Sequence, residues 1–196
     1  VHQGHMLLIP VQHSSQGALK DPVAAQEIEE LKVKLRNHAS VNYDADLFVF
    51  ERAIQTRGGY HAHVQCIPVE RNLGLKLQAT MLAQARKLGL DLREITSDVG
   101  LQAILSNDDE ANEEGYFYVE VPTVGGSFNR FLYKATPNGP RNKKTSFVPL
   151  QLGREILAAV LEKPDLAHWK SCELDQTKEA ELAAEFRAAF ASQDGE

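Results

Sequence analysis

The sequence predicts an α+β protein, and two observations carry that expectation. Strand-like and helix-like segments follow one another as strand, helix, strands, helix, then strands and helices. The chain has 196 residues, of which 43% are apolar and 24% charged, enough to bury a core without disulfides or metal. The same composition excludes disorder throughout.

The elements follow in order. His5 to Val11 reads as a short buried strand closed by Pro10. Asp21-Pro22 opens a helix, with Pro at an early helical position. Ile28, Leu31 and Leu35 fall on one face of it, and Glu27, Glu30, Lys32, Lys34 and Arg36 are expected to point outward. Asp46 to Arg52 is a strand in which Leu47, Val49 and Glu51 alternate against Phe48 and Phe50. Gly58-Gly59 breaks the chain, and Tyr60 to Val69 is a second strand. Leu77, Met81, Ala85 and Leu88 mark another amphipathic helix, stopped by Gly89. Residues 97–114 are acidic and weakly patterned, and a boundary or long loop is placed there. Tyr116 to Val121 and Phe128 to Tyr133 form a strand pair around Gly125-Gly126. Thr136 to Thr145 is a surface loop, Leu150 to Leu161 a helix ended before Pro164, and Leu182, Phe186 and Phe190 the stripe of a last helix.

Several classes of protein drop out. No run approaches eighteen apolar residues, so no segment is expected to span a membrane. The opening VHQGHMLLIP has no basic n-region and too short an apolar stretch for a signal peptide. It starts without Met, so the chain is read as a piece of something longer. Cys66 and Cys172 are too few for a disulfide framework, fit a reducing compartment and exclude a CxxC zinc knuckle. The net charge of −6 argues against general adhesion to nucleic acid, but its distribution is uneven. Asn107 to Glu120 holds six acids and no base, whereas Ser127 to Arg154 holds six bases and no acid: Arg130, Lys134, Arg141, Lys143, Lys144 and Arg154. The basic stretch is either a solvated loop with helix-flanking charges or a phosphate-facing, RNA-binding patch.

The most informative stretch is His61-Ala62-His63-Val64-Gln65-Cys66-Ile67-Pro68. On a strand, His61, His63 and Gln65 share one face, with alternate residues about 6.5–7 Å apart, so the row can grip a phosphate from several points. An imidazole can serve there as base, acid or nucleophile near neutral pH. A satisfied core pair is an alternative, and a zinc site is a third, needing a ligand recruited from His13 or Glu51.

Gly4-His5-x-Leu-x-Ile-Pro10-x-x-His13, followed by His61-x-His63-x-Gln65, resembles the histidine triad superfamily. The resemblance implies that His63 is the nucleophile that takes a nucleoside monophosphate, with His61 orienting the site and His13 as the fourth, supporting imidazole. Gln65 stands where most members carry a third His. Gln can donate to a phosphate oxygen but cannot give a proton to a leaving group. The galactose-1-phosphate uridylyltransferase branch shares this His-x-His-x-Gln form, which keeps transfer chemistry open. A broader resemblance rests on GHMLLIPVQH, FVFER, HAHVQCIPVE, YFYVEV, FVPLQLGREILAAVL, HWKSCELD and FRAAF in that order. Together they resemble the consecutive C-terminal domains of the CwfJ family. That family's upstream Cys-rich portion is not in the sequence, so the triad-like domain is expected to lack its first strands. The resemblance implies a nuclear protein that binds RNA in late spliceosomes or intron lariat turnover, with spliceosomal proteins or the lariat debranching enzyme as partners.

The remaining features read more plainly. Trp169 is expected to be a packing anchor rather than a base-stacking platform, and Gly125-Gly126 a turn rather than a phosphate loop. Tyr116 and Tyr118 alternate with Phe117, which leaves one aromatic face for the core and one open to stack on bases. Glu51 and Arg52 either support the active strand or pair with each other. The expected organisation is a histidine-triad-like domain at 1–96, the acidic boundary at 97–114, and a CwfJ-type C-terminal α+β domain at 115–196. The leading function is an RNA-binding factor with a phosphate or nucleotide pocket and no metal or cofactor. The alternative is an active nucleotidyl transferase or phosphodiester-cleaving enzyme using His63.

Overall fold

A computed structural model describes residues 4–14, 16–54, 61–96, 101–105, 115–135 and 148–191. Strands β1 (Met6–Leu8), β2 (Ala45–Ile54), β3 (Val64–Glu70), β4 (Arg93–Ile95), β5 (Gly115–Pro122) and β6 (Phe128–Ala135) form one sheet in the order β1-β3-β2-β5-β6-β4. Every pairing is antiparallel, so the chain is α+β as the sequence predicts. The segment at 97–114 falls between strands of this one sheet, whose centre is the β2–β5 pair running from Val49↔Glu120 to Ile54↔Gly115.

Helices cover both faces. Helix α1 (Pro22–Tyr43) lies on one, where Ile28, Leu35, Val49, Val64, Cys66, Tyr116, Tyr118 and Leu132 share a core. Helices α2 (Gly74–Leu88) and α4 (Leu152–Val160) lie on the other, over Phe48, Phe50, Ile67, Phe117, Val119 and Phe131. The short α3 (Leu101–Leu105) adds Leu101 and Leu105 to the first core. Helix α5 (Gln176–Ala191) docks on α1 through Phe186 and Phe190, whose rings lie 4.8 and 5.8 Å from that of His38.

Local chemistry sets several boundaries. Asp21 caps α1 by accepting from the Val23 and Ala24 amides, with Pro22 at the first helical position. Gly89 closes α2 at φ +68°, and Gly125 and Gly126, both at positive φ, turn β5 into β6. Both Tyr side chains and Phe117 are fully buried, because α1 covers one face of β5 and α4 the other, which corrects the expectation of an open stacking face. Two strands are shorter than their apolar runs suggest. β1 has three residues, and β3 starts at Val64, so His61 and His63 lie on its lead-in.

Lys32 corrects the outward-facing assignment most sharply. It is 2% exposed and ion-paired with Glu120 of β5, which is fully buried and also pairs with Arg36. Tyr118 donates to the same carboxylate at 2.7 Å. Lys32 also reaches Glu29 at the surface, and the Arg36 guanidinium lies 3.8 Å over the Phe128 ring. Trp169 differs too. It is 51% exposed, beside His168 and under the Lys170 ammonium, because the 3₁₀ turn that carries it lies outside both cores.

Burial works to raise the Glu120 pKa, but the Lys32 and Arg36 charges and the bonds from Lys32 and Tyr118 outweigh it and hold the carboxyl below its usual value of 4.5. A group depressed in the folded state protonates first in the unfolded chain. Its stabilisation is therefore complete above the ordinary Glu range and lost as pH falls through the lower folded value. Glu120→Ala should cost about 3–5 kcal/mol in urea unfolding at neutral pH, because it strands a buried ammonium. It should also flatten the loss of stability in acid; an unchanged acid limb would remove Glu120 from that role.

Candidate functional site

The lead-in to β3 keeps the alternation of the strand. Ala62, Val64 and Cys66 are buried in the core under α1, so His61, His63 and Gln65 face the other way, toward the α2 and α4 layer. β1 lies alongside with Leu7 opposite Gln65, and on the other flank Phe50 of β2 is opposite Gln65. His5, two residues before Leu7, therefore falls on the same face, and its ring hydrogen-bonds Gln65. The His13 ring meets that of His61 edge-on at 5.1 Å and 83°. His63 Nδ1 lies 2.7 Å from the His61 carbonyl. A carbonyl can only accept, so Nδ1 carries the proton in the neutral ring and Nε2 carries the free lone pair.

The four imidazoles and Gln65 thus gather at one end of β3. Of the residues predicted for the pocket, all four (His13, His61, His63 and Gln65) are in this row. His5 is the member that sequence reasoning missed, because the supporting role went to His13. Its parity with Gln65 rests on the β1–β3 register, which no window of sequence shows.

The segment that carries His13 is held from below. Glu51, on the α1 face of β2, accepts the Ala18 amide at 2.7 Å, the Leu19 amide at 3.2 Å and the Tyr116 hydroxyl. Gly17 at φ +113° packs so closely on the Tyr116 hydroxyl and Ala53 that no side chain fits there. Arg52 faces the opposite way and donates to the Val148 carbonyl at 3.1 Å and the Ile54 carbonyl at 2.7 Å. Glu51 and Arg52 therefore support different layers and do not pair. Between residues 10–14, Gln16 and the first turns of α1 opens a cleft of about 710 Å³, and of the predicted row only His13 lines it.

Electrostatics separates the imidazoles. Burial, then the nearby Arg154 charge, lowers the His5 pKa to about 4, while the Gln65 bond works the other way. Burial first, and then Glu120, pushes the Cys66 thiol up to about 12, so it offers no competing thiolate. Among the described residues no group of three or more His, Cys, Asp or Glu side chains is placed to hold a metal ion.

The residues predicted for RNA binding are dispersed. Arg130 is opposite Glu120, and Lys134 opposite Tyr116, so both sit on the α1 face, away from Gln65. Arg130 also reaches the Thr96 carbonyl at 3.5 Å. Arg154 is 8% exposed, and its guanidinium bonds the Leu166 and Ala167 carbonyls and the Cys172 sulfur. Arg141, Lys143 and Lys144 lie outside the described residues.

Because His5 has a folded pKa below its ordinary 6.5, its stabilising contribution is present above pH 6.5 and is lost as pH falls toward about 4. NMR titration of the imidazoles should find one ring protonating near pH 4, and His5→Gln should remove it. Glu51→Gln should destabilise the chain by roughly 1–3 kcal/mol and shift the His13 resonances; unmoved His13 signals would mean that the turn at 17–19 does not position that ring.

Comparison with known proteins finds likenesses along the whole chain. Residues 1–82 match the family described as "Protein similar to CwfJ C-terminal". Across 96% of its length the chain is 30% identical to zinc finger CCCH domain-containing protein 64 of Arabidopsis thaliana, covering 29% of that protein. It is 28% identical to human CWF19-like protein 1 over 95% of its length, and 27% identical to CWF19-like protein DRN1 of Saccharomyces cerevisiae over 97%. It covers 31% and 38% of those two proteins, so it spans about a third of the relatives that it matches. Residues 1–82, which hold the whole imidazole row, are thus the part of the chain similar to the CwfJ C-terminal family, and CWF19-like proteins are among the relatives matched along nearly its full length.

Proposed function

We propose that this chain is an RNA-associated module of late splicing and intron lariat turnover whose imidazole row holds a phosphate or a terminal nucleotide. One observation carries the reading: His5, His13, His61, His63 and Gln65 meet at one end of β3, with the Arg154 charge acting on His5. Each can donate to or polarise a phosphate oxygen, and together they offer more donors than a core would need. The likeness to the CwfJ C-terminal family supports the wider role: RNA, the lariat debranching enzyme and spliceosomal proteins as partners, and a nuclear location. Adding AMP should shift the His61 and His63 imidazole resonances, and His63→Ala should weaken AMP binding. Resonances that ignore AMP would end the phosphate reading.

A second reading, nucleotidyl transfer, is favoured by the His63 tautomer. With Nδ1–H committed to the His61 carbonyl, the Nε2 lone pair is free to attack phosphorus, forming a P–N bond as the leaving oxygen departs. Gln65 cannot protonate that oxygen, and His5 is neutral near pH 7, so the chemistry suits a leaving group that departs as a stable anion. Labelled nucleotide should then give an acid-labile adduct that His63→Ala abolishes. Gln65→His supplies a proton donor and should speed turnover of poor leaving groups, by up to roughly 10²–10⁴-fold if the new imidazole is well placed. Labelling that survives His63→Ala would move the nucleophile elsewhere.

Salt dependence tests the basic stretch separately. Removing Lys143 and Lys144 together should flatten the salt slope of RNA binding by about one to two units, since each phosphate contact contributes roughly 0.7–0.9. An unchanged slope would leave these lysines to solubility.

A further inference from the structure

We propose that Arg154 is the counter-ion of the bound phosphate, a fixed guanidinium delivered from α4 to the imidazole row. The inference rests on reading that row as a phosphate site, and it names the group that makes the site selective for a nucleotide over a nucleoside.

Position comes from packing. Gly153 presses on the Phe50 ring so closely that a Cβ there would collide with it. Phe50 is the β2 neighbour of Gln65, so α4 begins directly beside the row. Arg154 is the next residue, and its charge acts on His5, which bonds Gln65.

Charge supplies the reason. Arg154 is 8% exposed, yet among the described residues no carboxylate pairs with it. Its hydrogen bonds run from Nε to the Ala167 carbonyl at 3.2 Å and from Nη2 to the Leu166 carbonyl and the Cys172 sulfur, each at 3.1 Å. All three acceptors are uncharged, and they hold the planar fork in one orientation. Two N–H groups on Nη1 are left over, the edge that a phosphate oxygen can accept from. A buried cation without an anion is costly, and α4 places this one beside the imidazole row. Arg52, also buried, likewise donates to carbonyls, whereas the buried ammonium of Lys32 has Glu120 as its partner. A phosphate in the row would do for Arg154 what Glu120 does for Lys32.

The experiment compares AMP with adenosine on the intact chain, its Arg154→Gln and Arg154→Lys variants, and His63→Ala. Arg154→Gln should weaken AMP by about 10- to 100-fold, the worth of one charge-assisted hydrogen bond, and leave adenosine unchanged. Arg154→Lys keeps the charge but loses the fixed fork, and should recover part of the AMP preference. In the unsubstituted chain the Arg154 guanidinium ¹⁵N resonances should move with AMP and stay still with adenosine, a readout that needs no variant to fold. If Arg154→Gln binds AMP like the unsubstituted chain while His63→Ala does not, the row is a phosphate site and the role of Arg154 is wrong. Equal loss in both Arg154 variants with still guanidinium resonances makes Arg154 a strut for residues 164–172 only. Failure of the unsubstituted chain to bind AMP overturns the phosphate site and this inference together.

Discussion

Two carboxylates buried on one face of the sheet govern how this chain is assembled. Glu120, in the middle of β5, can remain ionised there only because α1 brings Lys32 and Arg36 down onto it. Glu51, on the adjacent β2, can remain there only because the chain just before α1 turns its Ala18 and Leu19 amides inward. Both acids therefore act on one continuous stretch, residues 17–36. They set where α1 starts, how far along the sheet it lies and which of its faces is buried. Apolar packing alone would tolerate a helix that slid or rotated by a residue; two buried carboxyl groups with fixed partners do not.

This arrangement explains which parts of the fold could be read from the sequence. The Asp21-Pro22 cap, the Gly89 stop and the Gly125-Gly126 turn are local signals, each satisfied within a few residues of itself. Lys32 was misread as solvent-facing because its partner is 88 residues away, and charge at a helical position usually does mean water. Trp169 failed in the other direction. Its size implies a core, but the turn that carries it packs through Arg154 and Cys172 and leaves the indole outside. The two tyrosines of β5 were half legible, since alternation shows that they share a face and nothing local shows that both faces are covered.

The candidate site follows the same division. His61, His63 and Gln65 are one strand's alternation, and period two is enough to align them. His13 joins through a motif spacing rather than through geometry that could be derived. His5 needed the β1–β3 register, and Arg154 needed the contact between Gly153 and Phe50. Neither relation exists in a window of sequence, so the row was visible and its surroundings were not. The structure also separates what the charge pattern had joined. Arg130 and Arg154 belong to one acid-free stretch, yet one lies on the α1 face and the other beside the row on the opposite face.

The brevity of β1 has a consequence for assembly. It pairs only with Val64, Gln65 and Cys66, so the described part of β1 leaves the outer side of β3 without a ladder partner from Ile67 to Glu70. An open sheet margin invites another chain to add a strand. Here Pro68 sits in the middle of that margin and brings no amide hydrogen, and Gly4 lies against its ring. At the far margin β4 is only three residues long, with Arg93 and Glu94 exposed. Pro68 and the short, charged β4 thus leave few backbone donors along these two described stretches for a further strand to take up.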